Sequence, residues 1–202
     1  FTDGDVILRQ TSEYPERLDE DFIDIPDLAQ TFVVTCALLN IPFRFTGLQS
    51  LKIKETDRIA ALITEMAKLG YVLRHENNSV LIWNGERCEP HATAVISTYE
   101  DHRMAMAFAP ASIVFPQMRI DEPHVVSKSY PNYWNDLRLA GFGIEEEQNQ
   151  KERPRRTALF ASSGSVGSDR LFQIIFRRMF VEDLEDLRLR GLFVAFFHRG
   201  EF

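Results

Sequence analysis

The sequence has few residues that could form covalent or metal cross-links. Its 202 residues include only two cysteines, Cys36 and Cys88, and their spacing fits neither a disulfide framework nor a metal site. We therefore expect reduced, partly buried thiols in a cytoplasmic protein. No apolar run reaches the length of a membrane-spanning helix, so no membrane partner is expected.

Positively charged residues are fewer than negatively charged ones. The chain has 23 Lys and Arg against 30 Asp and Glu, a net charge of −7, which argues against nonspecific nucleic-acid binding. Hydrophobic residues make up 45% and charged residues 26%, as is typical of globular proteins of one or two domains. The first residue is Phe and the sequence starts within a pattern, so we expect a fragment of a longer chain.

The charge changes sign near residue 148. Residues 1–148 carry 13 Lys and Arg against 23 Asp and Glu, whereas residues 149–202 carry 10 against 7. The run SSGSVGS at 162–168 is typical of a flexible linker. We expect one domain over residues 1–148 and a tail of unknown character over 149–202, which could be an extension, a fusion or a misread reading frame.

Hydrophobic periodicity predicts short strands that alternate with helices. The predicted strands are 6–10, 43–47, 71–74, 80–83, 95–98, 119–121 and 142–145. The predicted helices are 26–39, 59–69, one that starts after Asp101, and 131–141. Asp24 and Asp101 are candidate helix caps, and Gly70 is suited to end the second helix.

The charged residues concentrate where the predicted helices begin. The relevant residues are Asp27, then Lys54, Glu55 and Arg58, then Asp101, His102 and Arg103, then Lys128. Loops of this kind commonly gather at one rim of an α/β domain, so the cations are expected to form an anion site. Asp27, Glu55 and His102 could move protons there. Each residue also has a structural interpretation, as a helix cap, a local ion pair or a core histidine.

Four strings carry a resemblance to a known family. LKIKETDRIAAL, TYEDHRMAMAFA, DIPDLAQTF and SKSYPNYW are similar to the signatures of the EPSP synthase (3-phosphoshikimate 1-carboxyvinyltransferase) family and occur in that family's order. The resemblance covers residues 1–148, about the C-terminal third of such an enzyme. It implies an α/β (α+β) fold of βαβαββ units, with about two of the three units of one of the family's two domains, followed by an unrelated-looking tail.

The resemblance also implies a reaction and roles for residues. Family members transfer the enolpyruvyl group of phosphoenolpyruvate to the 5-hydroxyl of shikimate 3-phosphate, without a metal or organic cofactor. The implied catalytic residues are Asp27 for the hydroxyl proton, Glu55 for the methylene carbon and His102 near the departing phosphate. The implied substrate-binding residues are Lys54, Arg58, Arg103, Lys128 and Ser50, the last standing where many members carry Asn.

The same resemblance sets expectations for partners, and alternative functions remain beside it. It implies phosphoenolpyruvate and shikimate 3-phosphate as substrates, glyphosate-type inhibitors as ligands, and a monomer at full length. The fragment alone is expected to be inactive. Two alternatives remain at this point: an enolpyruvyl transferase that acts on a UDP-sugar, and a noncatalytic remnant that serves as a binding domain.

Overall fold

Two successive stretches of the chain fold through the same order of strands and helices. A computed structural model describes residues 14–53, 57–148 and 156–162. Apart from residues 14 and 15, the described residues lie within one compact unit, residues 16–164. Both stretches lie within the unit 16–164. Among the described residues, no helix has the length and apolar character needed to cross a membrane.

The first stretch, residues 18–83, is called here the first repeat. Its elements are β1 (Leu18–Asp21), α1 (Ala29–Leu38), β2 (Phe43–Thr46), α2 (Arg58–Lys68), β3 (Arg74–Glu76) and β4 (Val80–Trp83). β1 and β2 are parallel, and β4 lies between β2 and β3 and is antiparallel to both. A parallel pair needs a crossover connection, and α1 lies on that connection.

The second stretch, residues 95–162, is called the second repeat and has the same βαβαββ order. Its elements are β5 (Val95–Ile96), α3 (His102–Phe108), β6 (Arg119–Ile120), α4 (Tyr133–Leu139), β7 (Phe142–Gln148) and β8 (Arg156–Ser162). β5 and β6 are parallel, and β8 lies between β6 and β7 and is antiparallel to both. The two sheets therefore have equivalent strand orders.

Aromatic side chains form the core of the first repeat. The alternation in β2 points Phe43 and Phe45 inward, where both are fully buried, while Arg44 and Thr46 remain partly exposed. Phe22 packs edge-to-face on Phe45 with ring centroids 4.9 Å apart, as aromatic pairs commonly do. The core is therefore built on the inner face of this sheet.

Helix α1 is buried along almost its whole length. Eight of its ten residues are buried, and it packs against α2 and α3. A helix that is apolar on nearly all sides suits such an interior position. Its start consequently lies close to the starts of α2 and α3, and this arrangement builds the candidate site.

The α/β (α+β) fold class expected from the sequence is confirmed, and each repeat has the expected βαβαββ order. Several details were wrong. β1 was not predicted. The first hairpin strand, predicted at 71–74, lies at Arg74–Glu76, because Tyr71 and Val72 pair with residues 86–87 instead. Asp24 does not cap α1. A 3₁₀ turn at Pro26–Leu28 comes first; its N-cap position is Ile25, and that of α1 is Leu28. The strand predicted at 6–10 lies outside the described residues.

Three smaller expectations concern local chemistry. Asp101 caps α3, as predicted, because its carboxylate accepts from the backbone N–H of Arg103. Gly70 ends α2 with a φ of +88°, the left-handed conformation that glycine adopts readily. Cys36 is buried, and that burial raises the pKa of its thiol, whereas Cys88 is exposed rather than partly buried.

The predicted boundary near residue 148 falls between two strands of one sheet. β7 precedes this boundary and β8 follows it, and the two strands pair along seven residues each. Residues 149–155 and 163–202 lie outside the described residues. The division of the chain into 1–148 and 149–202 therefore stays a prediction.

Candidate active site

The structure brings three helix starts together through charged side chains. Asp27 lies in the 3₁₀ turn before α1, Arg58 is the first residue of α2, and Asp101 and Arg103 lie at the start of α3. These four residues are called here the Asp–Arg cluster. The side-chain contacts that join different helix starts span 31 to 76 residues of the chain, so tertiary packing brings those starts together.

Asp27 bridges the two arginines of the cluster. Its Oδ1 accepts from Nη1 of Arg58 at 2.9 Å, and its Oδ2 accepts from Nη2 of Arg103 at 3.2 Å. Nη1 of Arg103 also donates to the backbone carbonyl of Asp27 at 3.2 Å. One carboxylate thus orients both guanidinium groups, as a bound anion would.

Asp101 holds the inner side of the cluster. Its Oδ2 accepts from Nε of Arg58 at 2.6 Å and from Nε2 of Gln30 at 3.2 Å. Its Oδ1 accepts from the backbone N–H of Arg103 at 2.9 Å. Asp101 therefore orients Arg58 and caps the helix that carries Arg103, so it acts on both cations.

Exposure divides the cluster into an inner and an outer part. The side chains of Arg58 and Asp101 are 2% and 0% exposed, whereas those of Arg103 and Asp27 are 26% and 38% exposed. A buried ion pair is tolerated when further hydrogen bonds satisfy both partners, as they do here. Ligands from solvent can consequently reach the outer pair, Asp27 and Arg103.

The cluster contains two cations and two carboxylates. The sequence interpretation treated Arg58 and Arg103 as part of a concentrated positive site, yet each of them is paired with aspartate. A ligand anion would therefore meet guanidinium groups that Asp27 already occupies. An anion can bind by sharing or displacing that carboxylate, which is exposed enough for a ligand to reach it.

The predicted site residues His102 and Lys128 lie outside the Asp–Arg cluster. His102 is half-buried at the first position of α3, directly between Asp101 and Arg103. Lys128 ends a 3₁₀ turn, Pro123–Lys128, that packs against α3. Its side chain is exposed, and no described residue forms a hydrogen bond or ion pair with it. The structure thus does not bring Lys128 into the cluster.

The stretch before α2 is only partly described. Lys54 and Glu55 lie outside the described residues. Ser50 lies in a 3₁₀ turn, Gln49–Ile53, and its buried hydroxyl has no hydrogen-bond partner within the part of the chain that the structure describes. A buried hydroxyl without a partner is unusual, and a ligand group could satisfy it.

Sequence reasoning missed two members of this site. Asp101 was interpreted only as a helix cap, although it also holds Arg58. Gln30 was not singled out, yet it is fully buried and donates to Asp101. A polar amide in a mostly apolar helix was the available signal. Across the described ranges, no group of three or more His, Cys, Asp or Glu side chains could hold a metal ion.

Comparisons with known proteins show which proteins this chain is similar to. The chain is 71% identical over 145 residues to a 3-phosphoshikimate 1-carboxyvinyltransferase of Bacteroides fragilis (strain YCH46), a match covering 72% of this chain and 35% of that protein. It is 39% identical over 118 residues to the enzyme of the same name from Burkholderia vietnamiensis, covering 58% of this chain and 27% of that protein. The chain thus spans about a third of the length of the curated relatives it matches.

The match to the family itself covers most of the chain. A family profile described as EPSP synthase (3-phosphoshikimate 1-carboxyvinyltransferase) matches residues 2–137. That range includes all four residues of the Asp–Arg cluster together with His102 and Lys128. On this evidence of sequence and fold, the chain belongs to the EPSP synthase family.

Proposed function

We propose that this chain is part of a 3-phosphoshikimate 1-carboxyvinyltransferase in the shikimate pathway. The reaction would move the enolpyruvyl group of phosphoenolpyruvate to the 5-hydroxyl of shikimate 3-phosphate and release phosphate. The observation that carries the proposal is the Asp–Arg cluster, in which a partly exposed carboxylate contacts two guanidinium groups. The names of the relatives favour this substrate over a UDP-sugar.

The proposed addition step makes one C–O bond and moves two protons. The 5-hydroxyl oxygen attacks C2 of phosphoenolpyruvate, its proton passes to a base, and an acid protonates the methylene carbon C3. Asp27 is the proposed base for the hydroxyl, and Glu55 is the proposed group at C3. Acid and base groups of this kind contribute about two to four orders of magnitude each to turnover.

The proposed elimination step reverses the proton movements. A proton leaves the methyl carbon C3, the C2–O bond to phosphate breaks, and inorganic phosphate departs with a proton from His102. Arg58, Arg103 and Lys128 would hold the carboxylate and phosphate of phosphoenolpyruvate, since arginine pairs with planar carboxylates and lysine offers a point charge. Their charges would also stabilise the departing phosphate.

Lys54 and Ser50 would contact shikimate 3-phosphate, and no cofactor is proposed. The partly buried Ser50 supports this role, because its hydroxyl has no hydrogen-bond partner among the described residues. We further propose a cytoplasmic protein that is a monomer at full length and takes glyphosate-type inhibitors as ligands. The chain alone should not turn over, because one wall of a site excludes little water and positions two substrates poorly.

A complementation assay tests this proposal. Phosphate release is measured with both substrates for the purified chain, and for the chain mixed with the separately expressed remainder of the Bacteroides fragilis relative. We expect release only from the mixture, and no release when a UDP-sugar replaces shikimate 3-phosphate. Release by the chain alone would contradict the requirement for a second portion.

Matched variants connect the activity to the cluster. Arg103→Gln in the mixture should abolish most of the recovered release, because it removes the outer guanidinium of the cluster. Arg138→Gln removes the same charge from α4, where the guanidinium contacts Asn135, and should leave release unchanged. A folded mixture without release would favour the noncatalytic alternative.

A further inference from the structure

A fully buried carboxylate on α2 contacts the turn that precedes α3. Glu65 is 0% exposed, and its Oε2 accepts from the backbone N–H of Ser97 at 3.0 Å. Its Oε1 accepts from the hydroxyl of Tyr99 at 2.8 Å. Because a buried charge is stable only when it is well satisfied, these contacts hold residues 97–99 at a defined place on α2.

Lys68 completes this connection. Its Nζ lies 2.6 Å from Oε2 of Glu65 and donates to the backbone carbonyl of Val95 at 2.8 Å. The ammonium balances the buried carboxylate and also contacts β5. One helix face thus binds the chain at three successive points, Val95, Ser97 and Tyr99.

The turn that Glu65 holds has an unusual backbone. Tyr99 and Glu100 have φ values of +54° and +57°, so two successive residues other than glycine are left-handed. Such conformations are unfavourable for residues with a Cβ and persist where surrounding contacts impose them. The hydrogen bonds from Ser97 and Tyr99 to Glu65 are contacts of this kind.

The same turn ends at the inner carboxylate of the Asp–Arg cluster. Asp101 follows Glu100 directly and accepts from Nε of Arg58, the first residue of α2. Arg58 and Glu65 are seven residues apart, which places them on one face of the helix two turns apart. Helix α2 therefore binds both ends of the segment 97–101, through Glu65 at residues 97 and 99 and through Arg58 at residue 101.

The hydroxyl of Tyr99 keeps its proton at neutral pH. Although the residue is 36% exposed, partial burial of its side chain, with a contribution from the neighbouring Glu65, raises the pKa of Tyr99 to about 12. The phenol is consequently a hydrogen-bond donor throughout the neutral range, and Glu65 is its acceptor. The contact requires no change of protonation near neutral pH.

We propose that Glu65 is a positioning residue for the active site. By holding the strained turn against α2, it sets the place of Asp101, and Asp101 in turn orients Arg58 and the start of α3. The effect on substrates rests on the function proposed above, whereas the effect on the geometry of the cluster does not. Among the described residues, the hydrogen bonds and ion pair of Glu65 go to Lys68, Ser97 and Tyr99 and not to the cluster, so we expect it to act through the turn.

The test uses NMR on the whole chain. Hydrogen exchange is followed at Nε–H of Arg58 and at the backbone N–H of Arg103, two of the three groups that donate hydrogen bonds to Asp101. Tyr99→Phe removes one hydroxyl, and Glu65→Gln removes the charge and one acceptor oxygen. We expect exchange at both sites to rise about five- to tenfold in Tyr99→Phe, as for loss of one net hydrogen bond, and further in Glu65→Gln.

A matched control separates positioning from general stability. Tyr130→Phe removes another tyrosine hydroxyl, which donates to Asp136 at 2.6 Å outside the cluster, and should leave both exchange rates at the wild-type value. Wild-type exchange in Tyr99→Phe would overturn the proposal, even if Glu65→Gln does not fold. Equal changes in Tyr99→Phe and Tyr130→Phe would also overturn it.

Substrate binding gives a separate readout. In the complemented enzyme, Tyr99→Phe should raise KM for phosphoenolpyruvate severalfold more than it lowers kcat, because Arg58 is displaced before the chemistry begins. If the wild-type mixture shows no activity, the proposed function fails while the exchange data still decide the role of Glu65. An unchanged KM in an active mixture would contradict the predicted effect on substrate.

Discussion

At the scale of single residues, Asp27 is the group on which the proposed chemistry of the cluster depends. It accepts hydrogen bonds from Arg58 and Arg103, so it both neutralises and orients the two cations. Its side chain is 38% exposed, which leaves it accessible to a ligand. The same carboxylate thus competes with ligand anions and could accept a proton from a ligand hydroxyl.

Replacing Asp27 should therefore change binding and turnover in opposite directions. Asp27→Asn keeps the shape but removes the competing charge, so the chain should bind phosphoenolpyruvate more tightly, by about tenfold, as for loss of one charged hydrogen-bond contact. Turnover of the complemented enzyme should fall by about two to four orders of magnitude. Calorimetry measures the first quantity and phosphate release the second.

Asp57→Asn is the control for this experiment. Asp57 precedes Arg58 and caps α2 by accepting from the backbone N–H of Ala60, and asparagine caps equally well. This variant removes a charge from the same helix start and should change neither quantity appreciably. Near-normal turnover in Asp27→Asn would remove Asp27 from the mechanism.

Tyr99 makes stability depend on pH in the alkaline range. Its pKa is raised from 10.0 to about 12 by burial and by Glu65. The folded chain therefore holds the phenolic proton more tightly than the unfolded chain does. This contribution is fully present below pH 10 and is lost as the pH rises towards 12.

Tyr99→Phe should consequently flatten the fall in the free energy of unfolding across that range. Chemical denaturation at several pH values between 10 and 12 measures the slope for each protein. The burial of Tyr133, whose pKa is also raised, adds to the slope of both proteins equally. An identical slope in the wild type and the variant would show that the Tyr99 hydroxyl is not held in the folded state.

At the scale of elements, the first repeat depends on a close approach after β2. Gly47 follows β2 with a φ of +74°, and a Cβ there would collide with Oδ1 of Asp21 and with the backbone nitrogen of Ile23. The chain leaving β1 thus passes directly beside the chain leaving β2. Only a residue without a side chain fits this position.

Gly47→Ala should destabilise the chain strongly. Backbone strain and the collision together should cost about 2–4 kcal/mol, since overpacking adds to the cost of the left-handed conformation. Gly85→Ala is the matched control, because Gly85 has a φ of +97° and a Cβ added there would meet no atom within 4 Å. Equal losses in denaturant unfolding would contradict the close approach at Gly47.

At the scale of the whole molecule, the end of the second repeat bears on domain organisation. The charge shift predicts a boundary near residue 148, whereas β8 lies between β6 and β7 and extends the same sheet to Ser162. The family profile ends earlier, at residue 137. Strand pairing therefore includes sequence that the family match does not.

Limited proteolysis can separate the two boundaries. We expect the first stable fragment to retain β8, because backbone groups paired with strands on both sides resist cleavage. Mass spectrometry of a digestion time course gives the C-terminus of that fragment. A stable fragment ending near residue 148 would instead support the boundary predicted from composition.

Local features of this protein follow from the sequence by itself. The periodicity of residues 59–69 predicts α2, the left-handed preference of Gly70 predicts its end, and Asp101 is predictable as the cap of α3. These features depend on residues within a few positions of one another, so they can be read along the chain. The family strings likewise depend only on order and spacing.

Tertiary structure alone decided how the charges pair. The sequence interpretation gathered cations into an anion site, but folding placed Asp27 and Asp101 against Arg58 across 31 and 43 residues. The fold also buries Glu65 where it accepts hydrogen bonds from Ser97 and Tyr99, 32 and 34 residues away. Local propensity carries no information on such distant contacts, because the partners of a charge depend on which helix starts the packing of α1, α2 and α3 brings together.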